Sequence, residues 1–298
     1  MLRNLFAAEW LKLRRRPLAW GLLAIFLSML LLAQGLWALV LALHMGAIGG
    51  VQLHALAPAQ VEQLKLQLSF PGVFGAVLGQ VNGTGGILAI ILAAGALGSD
   101  YSWGTMRTLL ARAPARGSYL WAKLLALLLA LLVATLLALV LGSILALIVS
   151  AWLSLPQRLG GRDLLMLPVG MARALLVILP YLLATLACAA WGRSALAGMG
   201  GGLIFLALDV GAGSLSSLGL VNELVLIMIN LLLQPNITTL VVLNGELFGL
   251  DQALLTSAFD LQFLPSPWQA TLVVIAYSCA FAYAAWRILS QRDVSGQQ

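Results

Sequence analysis

The sequence predicts an all-α integral membrane protein with six transmembrane helices, and three observations predict it. Of 298 residues, 62% are hydrophobic and only 9% are charged, against about a quarter charged in soluble domains. The apolar residues fall in runs of the roughly 20 residues needed to cross a hydrocarbon core of about 30 Å. The 16 Lys and Arg gather between alternate runs, the mark of oriented spans rather than of a nucleic-acid face, which needs its cations on one accessible surface. So few charges cannot cover a core of this size with polar surface. Soluble enzyme and soluble DNA-binding module are excluded; membrane lipid is an expected partner and nucleic acid is not.

The whole chain, 1–298, reads as a single transmembrane domain. Residues 1–16, MLRNLFAAEWLKLRRR, place Leu2, Leu5, Phe6, Trp10 and Leu13 on one side of a helix. Arg3, Lys12, Arg14 and Arg16 lie at its margins. This pattern predicts an interfacial amphipathic helix, either an anchor for the first span or a contact surface for a cytoplasmic partner. The polar stretch is too long, and the next run too unbroken, for a cleaved signal peptide, so the first span is expected to remain.

Six apolar runs follow, at 18–43, 72–98, 120–150, 166–190, 195–218 and 267–288. An N-terminus on the inside leaves Arg3, Lys12, Arg14, Arg15, Arg16, Arg107, Arg112, Arg116, Lys123, Arg193, Arg287 and Arg292 on the cytoplasmic face. Only Lys65, Arg158, Arg162 and Arg173 remain outside, Arg173 near the outer end of span four where it can snorkel to the interface. Both termini are thus cytoplasmic. Trp20, Trp103, Trp121, Trp191 and Trp286 mark the inner boundary and Trp152 and Trp268 the outer one. The stretch from Ser194 to Leu233 is too long for one span and is divided by Gly211, Gly213 and Ser214. One crossing plus a return fits it, which makes 219–264 an outer, partly dipping re-entrant hairpin with Leu247, Phe248, Leu250, Leu254, Leu255 and Phe259 on its apolar face.

The segment between spans two and three, SDYSWGTMRTLLARAPARGSYLWAK, is the most informative. Ser99 is placed to N-cap a helix with Asp100 in its first turn. Trp103, Met106 and Leu110 share a face, Arg107 lies beside them, and Pro114 stops the helix. A short capped helix over 99–114 is therefore expected along the cytoplasmic face.

At these residues the chain resembles the permease subunits of ABC transporters of the ABC-2 type. The family has an amphipathic N-terminal helix with a Glu-x-x-Lys core, matched by Glu9 and Lys12. After span two it has an acidic residue and then Gly-Thr-x-Arg, matched by Asp100 and by Gly104, Thr105, Met106 and Arg107. A basic residue in the loop and a lysine entering span three are matched loosely by Arg116 and Lys123, with Tyr119 and Trp121 between. The family acid is usually Glu; here it is Asp100. The resemblance implies that 99–114 is a coupling helix seated in an ATP-binding subunit, with Glu9, Lys12, Asp100, Trp103, Gly104, Thr105, Met106, Arg107 and Leu110 coupling the two. It also implies a second permease subunit, identical or different, and a bacterial cytoplasmic membrane. Lys12, Lys65 and Lys123 all lack the glycine-rich P-loop context, so no catalytic residue and no cofactor is assigned to this chain. ATP and Mg belong to the partner ATPase.

Asp209, in LALDVGAG, is the acid placed most clearly inside an apolar run and is a functional candidate on that ground. It could line a substrate path or hold a cation, or it could satisfy backbone groups freed by a break of the fifth helix at Gly211 and Gly213. Gly75, Gly79 and Gly83 form a small-xxx-small ladder for close helix approach. In the resembled family spans two and five help line the path between permease subunits, which makes Asn82, Thr84, Asp209 and Ser214 the pathway candidates. Cys188 and Cys279 read as small core residues, and with His44 and His54 they give no metal-ligand spacing. The function implied is export of a hydrophobic or amphiphilic cargo such as a drug, antibiotic, peptide or lipid. An ion-coupled secondary transporter using Asp209 is the alternative; it expects paired mid-membrane charges. An intramembrane hydrolase would need a nucleophile and base in the spans, and neither histidine lies deep in one.

Overall fold

Pro17 cannot donate the backbone hydrogen bond that would continue a preceding helix, yet its ring suits the first turn of a new one. Arg16 alone therefore separates α1 (Leu2–Arg15) from α2 (Pro17–His44). The structure, a computed structural model, describes residues 2–48, 56–104, 116–213, 223–250 and 264–291. It is helical throughout these residues, with no strand among them.

Six helices are long and apolar enough to cross a membrane: α2, α4 (Gly72–Ser102), α5 (Arg116–Leu153), α6 (Gly161–Gly192), α7 (Ala195–Gly213) and α10 (Pro267–Gln291). All six expected runs fall in them, save 214–218 at the end of the fifth, which lies outside the described residues. The chain is a multi-pass membrane protein by this measure. Among the described residues three shorter helices lie between: α3 (Pro58–Gln67), α8 (Glu223–Asn230) and α9 (Leu233–Leu247). The sequence reading gave no helix at α3. Pro58 opens it, and the Ala57 backbone N–H donates to Gln60 Oε1 at 3.1 Å, while Val61, Leu64 and Leu68 pack with Leu41, Val149 and Leu153 of α2 and α5.

The central element is α6, 72% of whose apolar window is buried, against 17% in α7 and 22% in α2 and α10. Small residues bring its neighbours close. A Cβ on Gly198 would meet Ala189 Cβ at 2.7 Å, and one on Gly202 would meet Ile90 at 2.8 Å, so α4, α6 and α7 pack nearly backbone to backbone. Gly75 serves α9 in the same way, since a Cβ on it would lie 3.3 Å from Gly245 Cα, whereas Gly79 and Gly83 face open space. Only the first step of the expected glycine ladder is used within this chain.

Two expectations are corrected. Ser99 does not start a helix: α4 runs on through Ser102, and the Ser99 hydroxyl donates back to Gly95 O at 2.7 Å. The helix stops because Gly104 takes φ +67, the left-handed position that closes helix C-termini, with its N–H donating to Tyr101 O at 3.1 Å. Residues 105–115, which hold most of the expected 99–114 helix, lie outside the described residues. Nor is α7 broken at Gly211; it is continuous from Ala195 to Gly213, where the described residues of this segment end. Cys188 is half-buried and Cys279 is exposed, so the second is no core residue.

Candidate functional site

The ends of α1, α4 and α5 meet at one end of the bundle, around a lysine. Lys123 is 1% exposed, and an ammonium buried in this way must have all three protons accepted. They are: Nζ donates to Glu9 Oε2 at 2.6 Å, to Asp100 Oδ2 at 2.7 Å and to Ala96 O at 3.0 Å. Glu9 comes from α1, Asp100 and Ala96 from the last turns of α4, and Lys123 from the second turn of α5. One side chain therefore fastens three helices.

The carboxylates are as fully engaged. Glu9 Oε1 accepts from Lys12 Nζ at 2.6 Å. Asp100 Oδ2 also accepts from the Tyr119 hydroxyl at 2.6 Å, and its Oδ1 from Arg16 Nη2 at 3.4 Å. Lys12 Nζ lies 3.7 Å from the same oxygen. Arg16 reaches the cluster because Pro17 makes it the joint between α1 and α2; its Nη1 also donates to Gly95 O and Ala96 O, each at 3.3 Å. Those two carbonyls belong to the last turns of α4, where a cation also meets the negative end of the helix dipole. Above it, Trp103 stacks on the Arg16 guanidinium at 5.1 Å. Among the described residues three cations and two carboxylates meet in the cluster.

The cluster accounts for the face of α1. Leu13 is buried and Leu5, Phe6 and Trp10 are half-buried, but Leu2 is 43% exposed and the best-buried residue of the helix is the acid, Glu9, at 3%. Of the residues singled out from the sequence for coupling, Glu9, Lys12 and Asp100 are brought together, Trp103 and Gly104 sit at the exit of α4, and Thr105, Met106, Arg107 and Leu110 lie outside the described residues. The shorter Asp side chain at 100 still reaches its lysine. Arg16 and Tyr119 had no assigned part. The spacing of Glu9, Lys12 and Arg16, three and four apart along one helix face, was the signal for the first. A tyrosine one turn ahead of Lys123 was the signal for the second.

A second polar site sits around Asp209. Its Oδ2 accepts from the Tyr181 hydroxyl at 2.6 Å and its Oδ1 from the backbone N–H of Gln234 at 3.1 Å; the Tyr181 hydroxyl is also 3.2 Å from Gln234 Oε1. Gln234 is the second residue of α9, whose own N-cap position is Leu232 and offers no side-chain cap. Asp209 thus supplies from α7 the acceptor that the start of α9 lacks. The structural role weighed for Asp209 is met, with the backbone groups belonging to α9 instead of to a broken α7. The turn before α9 is satisfied likewise: Asn236 Nδ2 donates to Asn230 O and Leu232 O at 2.8 and 2.6 Å, and the Tyr277 hydroxyl to Leu231 O at 3.3 Å. Arg173, expected to snorkel outward, donates from Nη1 to Oδ1 of buried Asn244 on α9 at 3.1 Å, and Asn244 in turn donates to Gly170 O at 3.0 Å.

The other pathway candidates lie on a π-helical turn, Val81–Gly85, set into α4. Such turns insert a residue into an α-helix and are frequent at functional sites. Thr84 donates to Gln80 Oε1 at 3.2 Å. Both polar side-chain atoms of Asn82 are buried without a hydrogen-bond partner, beside the open face of Gly79 and Gly83. The bonds of Asp209 go to α6 and α9 and those of Thr84 to its own helix, so the two candidates form no shared network; Ser214 lies outside the described residues. Among the described residues no His, Cys, Asp and Glu gather as a metal site. No family model matches the chain, and no curated protein and no solved structure matches it either.

Proposed function

We propose that this chain is the transmembrane permease subunit of an ATP-driven exporter of the ABC-2 type, energised by a separate ATP-binding subunit. The observation that carries the reading is the bridge from Lys123 to both Glu9 and Asp100. The residues of the resemblance, scattered over more than a hundred positions, converge on one contact. The contact joins α1 to the two helices that flank residues 105–115.

In this reading the ATP-binding subunit holds residues 105–115 and the exposed side of α1, and ATP and Mg stay on that subunit. Closing of the ATPase moves the joint at Trp103 and Gly104. Asp100 is tied to Lys123, Lys12 and Arg16, so α4 cannot shift without α1 and α5, and the three move as one lever. The far half of α4 carries the π turn, where Asn82 and the open faces of Gly79 and Gly83 suit a cargo or a second permease subunit, identical or different. The exposed face of α7, with Leu196 80%, Ile204 62% and Leu208 67% exposed, suits such a subunit too. The cargo is hydrophobic or amphiphilic, because the spans offer few charges to pair with a charged one. The chain sits in a bacterial cytoplasmic membrane with both termini and the basic end inside, and α8 with α9 forms an outer re-entrant hairpin. An ion-coupled transporter using Asp209 is less well supported, because both of its carboxylate oxygens already accept hydrogen bonds.

The test is mass-spectrometric identification of what co-purifies with the tagged chain from its native membrane in mild detergent. A near-stoichiometric P-loop ATPase that is lost with Arg107→Glu is the expected result. A well-folded chain that emerges alone, or transport that survives both Arg107→Glu and Gly104→Trp, would sink the proposal.

A further inference from the structure

Between α1, the first turns of α2, and the facing sides of α4 and α5 lies an apolar groove of about 200 Å³. Along α4 it runs from Leu92 to Val81, which is about 16 Å of helix. That is the depth of one leaflet of a hydrocarbon core about 30 Å thick. At about 30 Å³ for a group the size of a water or a methylene, it holds about seven such groups. Its deep half is lined by Phe26, Gly85 and Ala134 and its mouth by Trp10, Arg14 and Trp20. The one hydroxyl on its wall, that of Thr135, is turned to Leu131 O at 2.8 Å. Nothing in the deep half asks for a polar ligand.

The mouth has the opposite character. Trp20 Nε1 donates to the backbone oxygen of Arg14 at 2.8 Å, which fixes the elbow between α1 and α2 with two indole rings at the level where tryptophan prefers a membrane boundary. The Arg14 side chain is exposed and has no acidic partner among the described residues, unlike Lys12 and Arg16 beside it. Arg15 and Arg3 are exposed on the same helix. An acyl-length apolar slot under an unpaired guanidinium is complementary to an amphiphile with a negative head and a hydrocarbon tail.

We infer that this groove is a binding site for one acidic phospholipid of the cytoplasmic leaflet, with its phosphate at Arg14 and the upper part of an acyl chain packed between α2, α4 and α5. The inference rests on the orientation proposed above, which puts the basic end inside. Such a lipid is not cargo. It fills the gap under α1 and ties the position of that helix to the lipid composition of the membrane.

The experiment is native mass spectrometry of the full-length protein in mild detergent, with added phosphatidylglycerol or phosphatidylcholine of identical acyl chains. One phosphatidylglycerol per chain is expected to stay bound, favoured over phosphatidylcholine by about fivefold, the effect of one basic residue near an acidic surface. Arg14→Gln should bring that ratio close to one. Ala134→Phe, which fills the deep half, should remove bound lipid of both kinds, and Val133→Trp, at an exposed position of the wall, is a second filling variant should the first not fold. Retention independent of headgroup, a ratio untouched by Arg14→Gln, or lipid undiminished by a filling variant with an unaltered elution profile would each overturn the inference. Co-purification of the ATPase, followed on the same preparations, tests the coupling reading separately, because Arg14, Val133 and Ala134 lie outside the coupling set.

Discussion

Two acids, Asp100 and Asp209, are both buried on apolar helices, and their surroundings differ in kind. Among the described residues Asp100 meets three cations and a phenol; Asp209 meets one phenol and the backbone N–H groups of Leu233 and Gln234 at the start of α9. A carboxylate facing fixed cations cannot lose its charge without leaving those cations unpaired, which is the costly case in a buried pair. One that caps a helix with neutral donors needs only an acceptor oxygen. The first arrangement is a clamp set by charge, the second a cap set by hydrogen-bond geometry.

The largest effect should come from cutting the clamp at its centre. Lys123→Met leaves Glu9 and Asp100 facing each other in a dry site and is expected to cost about 3 to 5 kcal/mol, read as a large fall in the unfolding midpoint in detergent. Adding Glu9→Gln and Asp100→Asn to that variant should recover part of the loss, because no carboxylate is left buried without a partner, Arg16 keeps the Gly95 and Ala96 carbonyls and Lys12 is partly exposed. A single variant as stable as the parent would mean the pairing carries no stability.

A matched pair sharpens the contrast between the acids. Asp100→Asn leaves Arg16 without a carboxylate and Lys123 with Glu9 as its one acid, and should destabilise by about 2 to 3 kcal/mol. Asp209→Asn keeps a carbonyl oxygen for the Gln234 N–H and should cost about 1 kcal/mol or less. Equal losses in a thermal-shift comparison would erase the distinction drawn above.

Smaller again are the two phenols. Tyr119→Phe and Tyr181→Phe each remove one donor, worth about 1 kcal/mol, and the loss at 181 should be the greater, because Asp209 keeps only neutral backbone donors while Asp100 keeps its cations. The smallest change in stability is expected from Asn82→Leu, within about 1 kcal/mol of the parent, since no partner is lost. If the π turn meets cargo, the same variant lowers transport while folding is unchanged, which a drug-efflux or vesicle assay would register.

The spans were legible because length and hydropathy are local properties, and a run of 25 apolar residues has few alternatives. Glu9, Lys12 and Asp100 were singled out through the resemblance to ABC-2 permeases, which Lys123 matched only loosely. Their convergence was not legible, because it depends on how helices from distant parts of the chain pack. Ser99 misled because a serine followed by an acid carries the same local signal at the start of a helix as inside its last turn; Gly104 was the better punctuation, and its stop at φ +67 outweighed the cap. Tyr181 and Gln234 escaped notice because neutral polar residues in a span raise no electrostatic alarm, and Gln234 acts through its backbone. The bond of Arg173 to Asn244, on a helix 71 residues away, was not legible for the same reason of distance.

The bridge from Glu9 to Lys123 spans 114 positions of sequence, and that separation has a meaning for biosynthesis. At about 5 to 20 residues per second, Glu9 leaves the ribosome about 6 to 20 seconds before the lysine that will hold it. During that interval α2 and α4 are already being made, while α1 has only the pairing of Glu9 with Lys12 to offset its buried acid. α1 is therefore translated well before the partner that holds Glu9 and is not seated on it until the third span arrives. A nascent chain arrested before residue 123 should leave α1 open to protease, and one arrested well beyond it should not.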